Sequence, residues 1–99
     1  MHYLLTYEKA PDHAHREASF QDAHRTHVFA AVKRGELLLG GPLDEPLNGD
    51  QALLFQAPSR SIVEAFAKAD PYVVNGIVVR WDVRTWHTVV GQGASEPLS

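Results

Sequence analysis

The order in which two hydrophobic periods alternate along this chain restricts its fold more than any single motif. "HYLLTYE" sets Tyr3, Leu5 and Tyr7 against His2, Leu4 and Thr6, the two-residue period of a strand. Pro11 and Asp12 then mark a helix start. From about Ala14 to Arg34 the chain has no proline or glycine, and Gly35 is placed to stop the helix. "ELLLGGPL" is a short buried strand closed by Gly40, Gly41 and Pro42. "DEPLNGD" is a loop whose Asn48-Gly49 pair signals a hairpin, and "QALLFQA" is the next strand. Pro58 and Ser59 end it. A second helix follows, with Ile62, Val63, Phe66 and Ala69 as its apolar stripe. "IVVRWDVRTWHTVV" is a long β-rich run, and "GQGASEPLS" over 91–99 lacks apolar periodicity and is expected to be a loose tail.

The resulting order, β-α-β-β-α-β over residues 1–90, predicts a single α+β domain of ferredoxin-like form. Four antiparallel strands would carry both helices on one face. Leu, Val and Trp occur at both parities of the strands, so the other sheet face also needs cover. A homodimer packed sheet against sheet would provide it. Ninety-nine residues with 44% apolar side chains suffice for one core. A net charge of −3 without a basic run gives no sign of a nucleic-acid or anionic-membrane partner. The chain has no cysteine, which rules out thiol chemistry and suits a cytoplasmic protein. The opening "MHYLLTYEKA" has too short an apolar run for a signal peptide. No glycine-rich phosphate loop or carboxylate-rich metal pattern is present, so no cofactor is expected.

Six histidines are many for this length, and four fall in "HAHREASFQDAHRTH". A metal site is the obvious candidate, but His13 and His24 on one helix would stand about 16 Å apart. His24 and His27 are neighbours on one helix face, yet the spacing supplies no third ligand, so no metal is expected. On a helix, Phe20, Ala23, His24, His27, Val28 and Ala31 share the side that faces the sheet. His24 there is either a core histidine satisfied by backbone or water, or a positioned base. His27 lies nearer the edge of that side and fits either role.

Asp70 precedes Pro71 at the end of the second helix, and Asp-Pro suits the N-cap and first position of a new helical turn. A carboxylate there could also orient an imidazole on the neighbouring helix, fixing its tautomer. Tyr3, Tyr7 and Tyr72 are candidate substrate contacts.

Together these residues carry a resemblance. His24, Gly35, Gly41-Pro42 and Asp70-Pro71-Tyr72 stand at the spacings of the YCII-related family, and Trp86 matches the aromatic of its last strand. The resemblance spans about Met1 to Val90. It implies the dimeric α+β barrel fold, similar to muconolactone isomerase, and a pocket centred on a His/Asp pair that falls on His24 and Asp70. It adds Pro42 to Tyr7 and Tyr72 as a candidate substrate-binding residue. Many members have an arginine three residues before the histidine. This chain has Gln21 there, so if that arginine binds an anionic group in relatives, the contact is either lost here or made by Arg25 or Arg16. One branch resembles dehydrochlorinases of chlorinated hydroxyhydroquinones. The expected function is general acid/base chemistry of the lyase, isomerase or dehydrochlorinase kind on a small organic, aromatic-derived substrate. The alternative is a non-catalytic dimeric binding or partner module with a structural His/Asp pair.

Overall fold

The structure, a computed structural model, describes residues 1–98. Strand β1 (His2–Lys9) leads into a short helix α1 (His13–Arg16), a tight 3₁₀ turn (Glu17–Phe20) and the main helix α2 (Gln21–Lys33). The β2 (Leu37–Pro42) and β3 (Gln51–Gln56) strands form a hairpin. Helix α3 (Arg60–Ala69), the single-turn α4 (Pro71–Val74) and β4 (Val78–Trp86) complete the fold. The sheet order is β2-β3-β1-β4 with every neighbouring pair antiparallel. This is the ferredoxin-like α+β arrangement that the sequence predicts.

Strand alternation decides the core. Tyr3, Leu5 and Tyr7 of β1 point to the helical side and are buried, next to Phe55 and Leu53 of β3 and Val83 of β4. Ala31 of α2 and Val63, Phe66 and Ala67 of α3 close on them. The inward stripe of α3 differs from the sequence expectation at one position: Ala67 is buried and Ala69 is exposed. Spacing i, i+3, i+4, i+7 from Val63 gives Phe66, Ala67 and then Asp70. The aspartate occupies a place that the pattern reserves for an apolar side chain.

The long first helix expected over 14–34 is interrupted. Phe20 leaves helical dihedrals at φ −118° and ψ 3°, and Arg16 is stretched to φ −115° within the right-handed helical region. Two inward tethers hold this break. Arg16 donates to the carbonyls of Asn75 and Gly76 at 2.8 and 2.9 Å, and Glu17 accepts from Lys9 Nζ at 3.0 Å. Neither is visible as periodicity, because each partner is remote in sequence.

The hairpin loop is wider than the Asn48-Gly49 pair alone would make it. It closes through Leu43 N–H to Asp50 O at 2.7 Å, with Gly49 N–H on Pro46 O inside it. On the sheet face away from the helices, Leu4 lies beside Leu54 and Arg84, and Leu39 beside Leu54. Leu39 is 70% and Trp86 48% exposed. Residues 88–98 fold back on themselves at one end of this face through Leu98 N–H to Val89 O and Glu96 N–H to Thr88 O. No helix among the described residues is long and apolar enough to cross a membrane.

Gly35 ends α2 at φ 79°, with Gly35 N–H on Val32 O and Glu36 N–H on Ala31 O, the paired bonds of a glycine-terminated helix. A Cβ at this position would meet nothing within 4 Å, so an alanine suffers backbone strain alone. Gly35→Ala is expected to lower stability by about 1 kcal/mol. Urea denaturation checks this, and an unchanged midpoint would refute it.

Candidate active site

The site is assembled around a carboxylate that has no contact with solvent. Asp70 ends α3 and caps α4: its Oδ1 accepts the Tyr72 backbone N–H at 2.9 Å, and Pro71 takes the first helical position. The same oxygen accepts His24 Nδ1–H at 2.8 Å, and Oδ2 accepts the Tyr7 hydroxyl at 2.8 Å. Asp70 is fully buried at 0% exposure. All three contacts are donors, so Asp70 serves purely as an acceptor, the role of an ionised carboxylate. Capping and imidazole orientation thus fall to one residue, and to one oxygen of it.

His24 reaches Asp70 from α2. With Nδ1 donating, the neutral ring carries its lone pair on Nε2. Nε2 has no hydrogen-bond partner among the described residues and is not sealed off; the side-chain atom that is both buried and unpartnered is Nε2 of His2. The imidazole lies flat on the Tyr72 ring, with centroids 3.8 Å apart and planes 3° from parallel. Tyr72 is fixed in turn by α4. Ring stacking and the Asp70 bond therefore remove both rotational freedoms of His24. His27, one turn further on, donates from Nε2 to the Phe66 carbonyl at 2.8 Å and stacks on the Phe66 ring. It ties α2 to α3.

Two hollows open on either side of His24 and share Gln51 as well. One, of about 270 Å³, is apolar and walled by Val28, Phe29, Val32, Leu37, Leu39 and Leu53. The other, of about 220 Å³, is polar and lined by Lys9, Glu17, Gln21, Arg25, Asn48 and Tyr72. Each falls a little short of the roughly 300 Å³ at which small-molecule pockets usually begin. Lys9 is buried against the polar hollow, donating to Glu17 at 3.0 Å and to the Asn48 carbonyl at 3.1 Å. Its ammonium also stands 5.2 Å from the centre of the Tyr72 ring. Through Lys9 the hairpin loop is pinned as one wall of the site.

Burial, the Asp70 charge and the hydrogen bond to it all push the Tyr7 hydroxyl far above the ordinary phenol range. It stays a donor throughout and holds Asp70. The Tyr72 hydroxyl is also raised, first by burial and then by the Glu17 charge, so it too keeps its proton. Burial pushes the Glu17 carboxyl up, but Lys9 and His13 outweigh it and leave Glu17 below the usual carboxylate range.

The structure thus brings together His24, Asp70, Tyr72 and Tyr7 of the residues singled out by sequence. Tyr3 is buried in the core, 4% exposed, and lines neither hollow. Pro42, at the end of β2, lines neither hollow either, whereas Gly40 and Gly41 line the apolar one. Lys9, Glu17 and Gln51 carry no sequence signal of their own, and that of Asn48 speaks only for a hairpin turn. They meet at the site only because β1, the 3₁₀ turn and the hairpin loop converge there. Among the described residues no group of three or more His, Cys, Asp or Glu is placed to hold a metal ion.

The model of the YCII-related domain matches residues 1–87. The fold is similar to that of a 5-chloro-2-hydroxyhydroquinone dehydrochlorinase from Burkholderia phenoliruptrix, solved in complex with 2,5-dihydroxybenzoquinone. That likeness has a TM-score of 0.74 at 20% identity, over 87% of this chain and 93% of the other. No curated protein sequence gives a match.

Two outcomes follow from the geometry. Tyr7→Phe removes a donor from a buried charge and should cost about 2 kcal/mol in a urea titration; a loss under about 0.5 kcal/mol would show that the bond does not matter. Glu17 has its folded-state pKa lowered, so its pairing stabilises above the unfolded value and is lost as pH falls through the folded one. Thermal midpoints should therefore drop more steeply between about pH 5 and pH 3 in the wild type than in Glu17→Gln. Parallel curves would count against the pair.

Proposed function

The chain belongs to the YCII-related family, and from that premise we propose that it is a small enzyme moving protons at a carbon atom of a ring-like organic substrate. The observation that carries this reading is the His24 imidazole. Its Nδ1 is tied at 2.8 Å to a buried carboxylate, its Nε2 has no hydrogen-bond partner among the described residues, and its side chain lines two hollows of unlike polarity. In this reading Nε2 takes a proton from a carbon beside a carbonyl group, and the bonding pair moves onto the carbonyl oxygen as an enolate. Asp70 holds the tautomer and stabilises the imidazolium that forms. The Tyr72 ring is stacked on His24, and its hydroxyl, which retains its proton, would donate to that oxygen in this reading.

The enolate then collapses in one of two ways. Reprotonation at another carbon gives an isomerisation. Expulsion of a leaving group with its electron pair, such as chloride, gives an elimination. Both return the His24 proton to substrate or solvent, and neither calls for an electron acceptor. The dehydrochlorinase of similar fold makes the elimination the first to test. The protein would act in the cytoplasm as a homodimer, two sheets meeting over Leu4, Leu39, Leu54 and Trp86, with no nucleic-acid or membrane partner.

A screen of small cyclic and aromatic-derived acids, 5-chloro-2-hydroxyhydroquinone first, tests the assignment. With the acid turned over, His24→Ala should lower kcat by about 10²- to 10⁴-fold, and Asp70→Asn should lower kcat more than it raises KM. Both variants should keep the sedimentation behaviour of the wild type. Full activity in both would overturn the reading. Unchanged affinity for a bound small molecule, with only a lowered melting temperature, would favour a binding module with a structural His/Asp pair.

A further inference from the structure

The two hollows beside His24 differ in charge as well as polarity, and the difference narrows the substrate class. In the polar hollow two cations face one acid: Lys9 and Arg25 against Glu17. Lys9 is already spent. Its ammonium is buried, paired with Glu17 and bonded to the Asn48 carbonyl. The other candidate cation of this region, Arg16, is also committed, to the Asn75 and Gly76 carbonyls and to Asp12. Arg25 makes no ion pair or side-chain hydrogen bond among the described residues, yet it lines the hollow next to Tyr72 and His24. Gln21, one turn before Arg25 on α2, adds a neutral donor on the same wall. The apolar hollow on the other side of His24 presents only Val, Leu, Phe and Gly side chains besides His24 and Gln51.

We propose that Arg25 is the specificity-determining residue of this site, and that the substrate is an amphipathic acid. Its apolar body lies in the hollow between α2 and β2, and its carboxylate or acidic enolate lies against Arg25. This rests on reading the His24 hollows as the substrate site. A guanidinium suits the task because its planar fork can take both oxygens of such a group. The arrangement also sets the reacting atom. His24 lines both hollows, so in this pose the carbon that it reaches is the one joining the apolar body to the anionic end. Negative charge that develops there on proton removal falls on the side of Arg25 and the Tyr72 hydroxyl. The apolar wall of Val32 and Leu37 would oppose it.

The test is binding, read separately from turnover. 4-Methylbenzoate and 4-methylbenzamide have nearly the same shape and differ in charge. Titrating each into the intact protein while following backbone amides of α2 and β2 by NMR gives two dissociation constants. The wild type should hold the carboxylate about 10-fold more tightly or better. Arg25→Gln should bring the two within about 2-fold by weakening the carboxylate alone, with amide affinity unchanged. Lys33→Gln, an exposed cation at the far end of α2, should keep the preference.

Equal affinities in the wild type would overturn the proposal. So would a preference that survives Arg25→Gln, or no shift with either probe at millimolar concentration. The proton-transfer reading fails on its own test. If His24→Ala keeps turnover while Arg25→Gln loses the preference, the anion site stands and the catalytic role of His24 does not.

Discussion

A single buried carboxylate sets the terms for the rest of this molecule. Asp70 takes the fourth place, seven residues on, in an inward stripe that starts at Val63 and is otherwise apolar. A carboxylate out of water is tolerated only if its lone pairs are met by donors. Three elements supply them: β1 through the Tyr7 hydroxyl, α2 through His24, and α4 through the Tyr72 amide. Each donor also fixes the position of its own element. The interactions that make the buried charge tolerable are therefore the ones that bring the tyrosine of the sheet, the histidine of the main helix and the capped turn to one point.

The wall of the site depends on a second buried charge, handled by the same logic. Lys9 ends β1 with its ammonium turned inward, and Glu17 must come to meet it. An uninterrupted α-helix over 14–34 does not form; the chain tightens into a 3₁₀ turn at Glu17–Phe20, and α2 starts again at Gln21. The Asn48 carbonyl completes the ammonium's partners and draws in the hairpin loop. The break in the helix and the placement of the loop then have one cause. Arg16, engaged at the far side of the break with the end of α4, keeps the short helix from drifting away.

What could be read in the sequence was whatever is encoded locally. Period-two alternation in "HYLLTYE" sets Tyr3, Leu5 and Tyr7 on one face of a strand without saying which face is inside, and the Gly35 stop and the Asp70-Pro71 cap are local signals with a fixed backbone meaning. His24 could be singled out because an imidazole conflicts with the apolar face of α2 that carries it, and Asp70 because a carboxylate directly before Pro71 signals the cap of a new turn. Lys9, Glu17 and Asn48 could not, because a lysine ending a strand reads as a solvated charge until the fold brings an acid 8 positions away to within hydrogen-bonding distance. Ala67 and Ala69 were interchanged for a related reason. The periodicity of α3 was anchored on apolar residues alone, and the inward position after Ala67 is held by Asp70.

His24 and His27 show how the partner, more than the ring, decides what a histidine can do. They sit one turn apart on the same face of α2, each with one nitrogen bonded at 2.8 Å and each stacked on an aromatic ring. For His27 the partner is the neutral Phe66 carbonyl, which fixes the tautomer but offers only a dipole to a ring that gains a proton. For His24 the partner is a carboxylate that also accepts from the Tyr7 hydroxyl and the Tyr72 amide, an acceptor group of a different kind from a neutral carbonyl. His27 spends its Nε2 on the backbone of α3. His24 leaves its Nε2 unbonded among the described residues, and its side chain lines both hollows. Were the two partners exchanged along α2, the ring lining the hollows would be held by a neutral carbonyl, and the carboxylate-held ring would lie against Phe66.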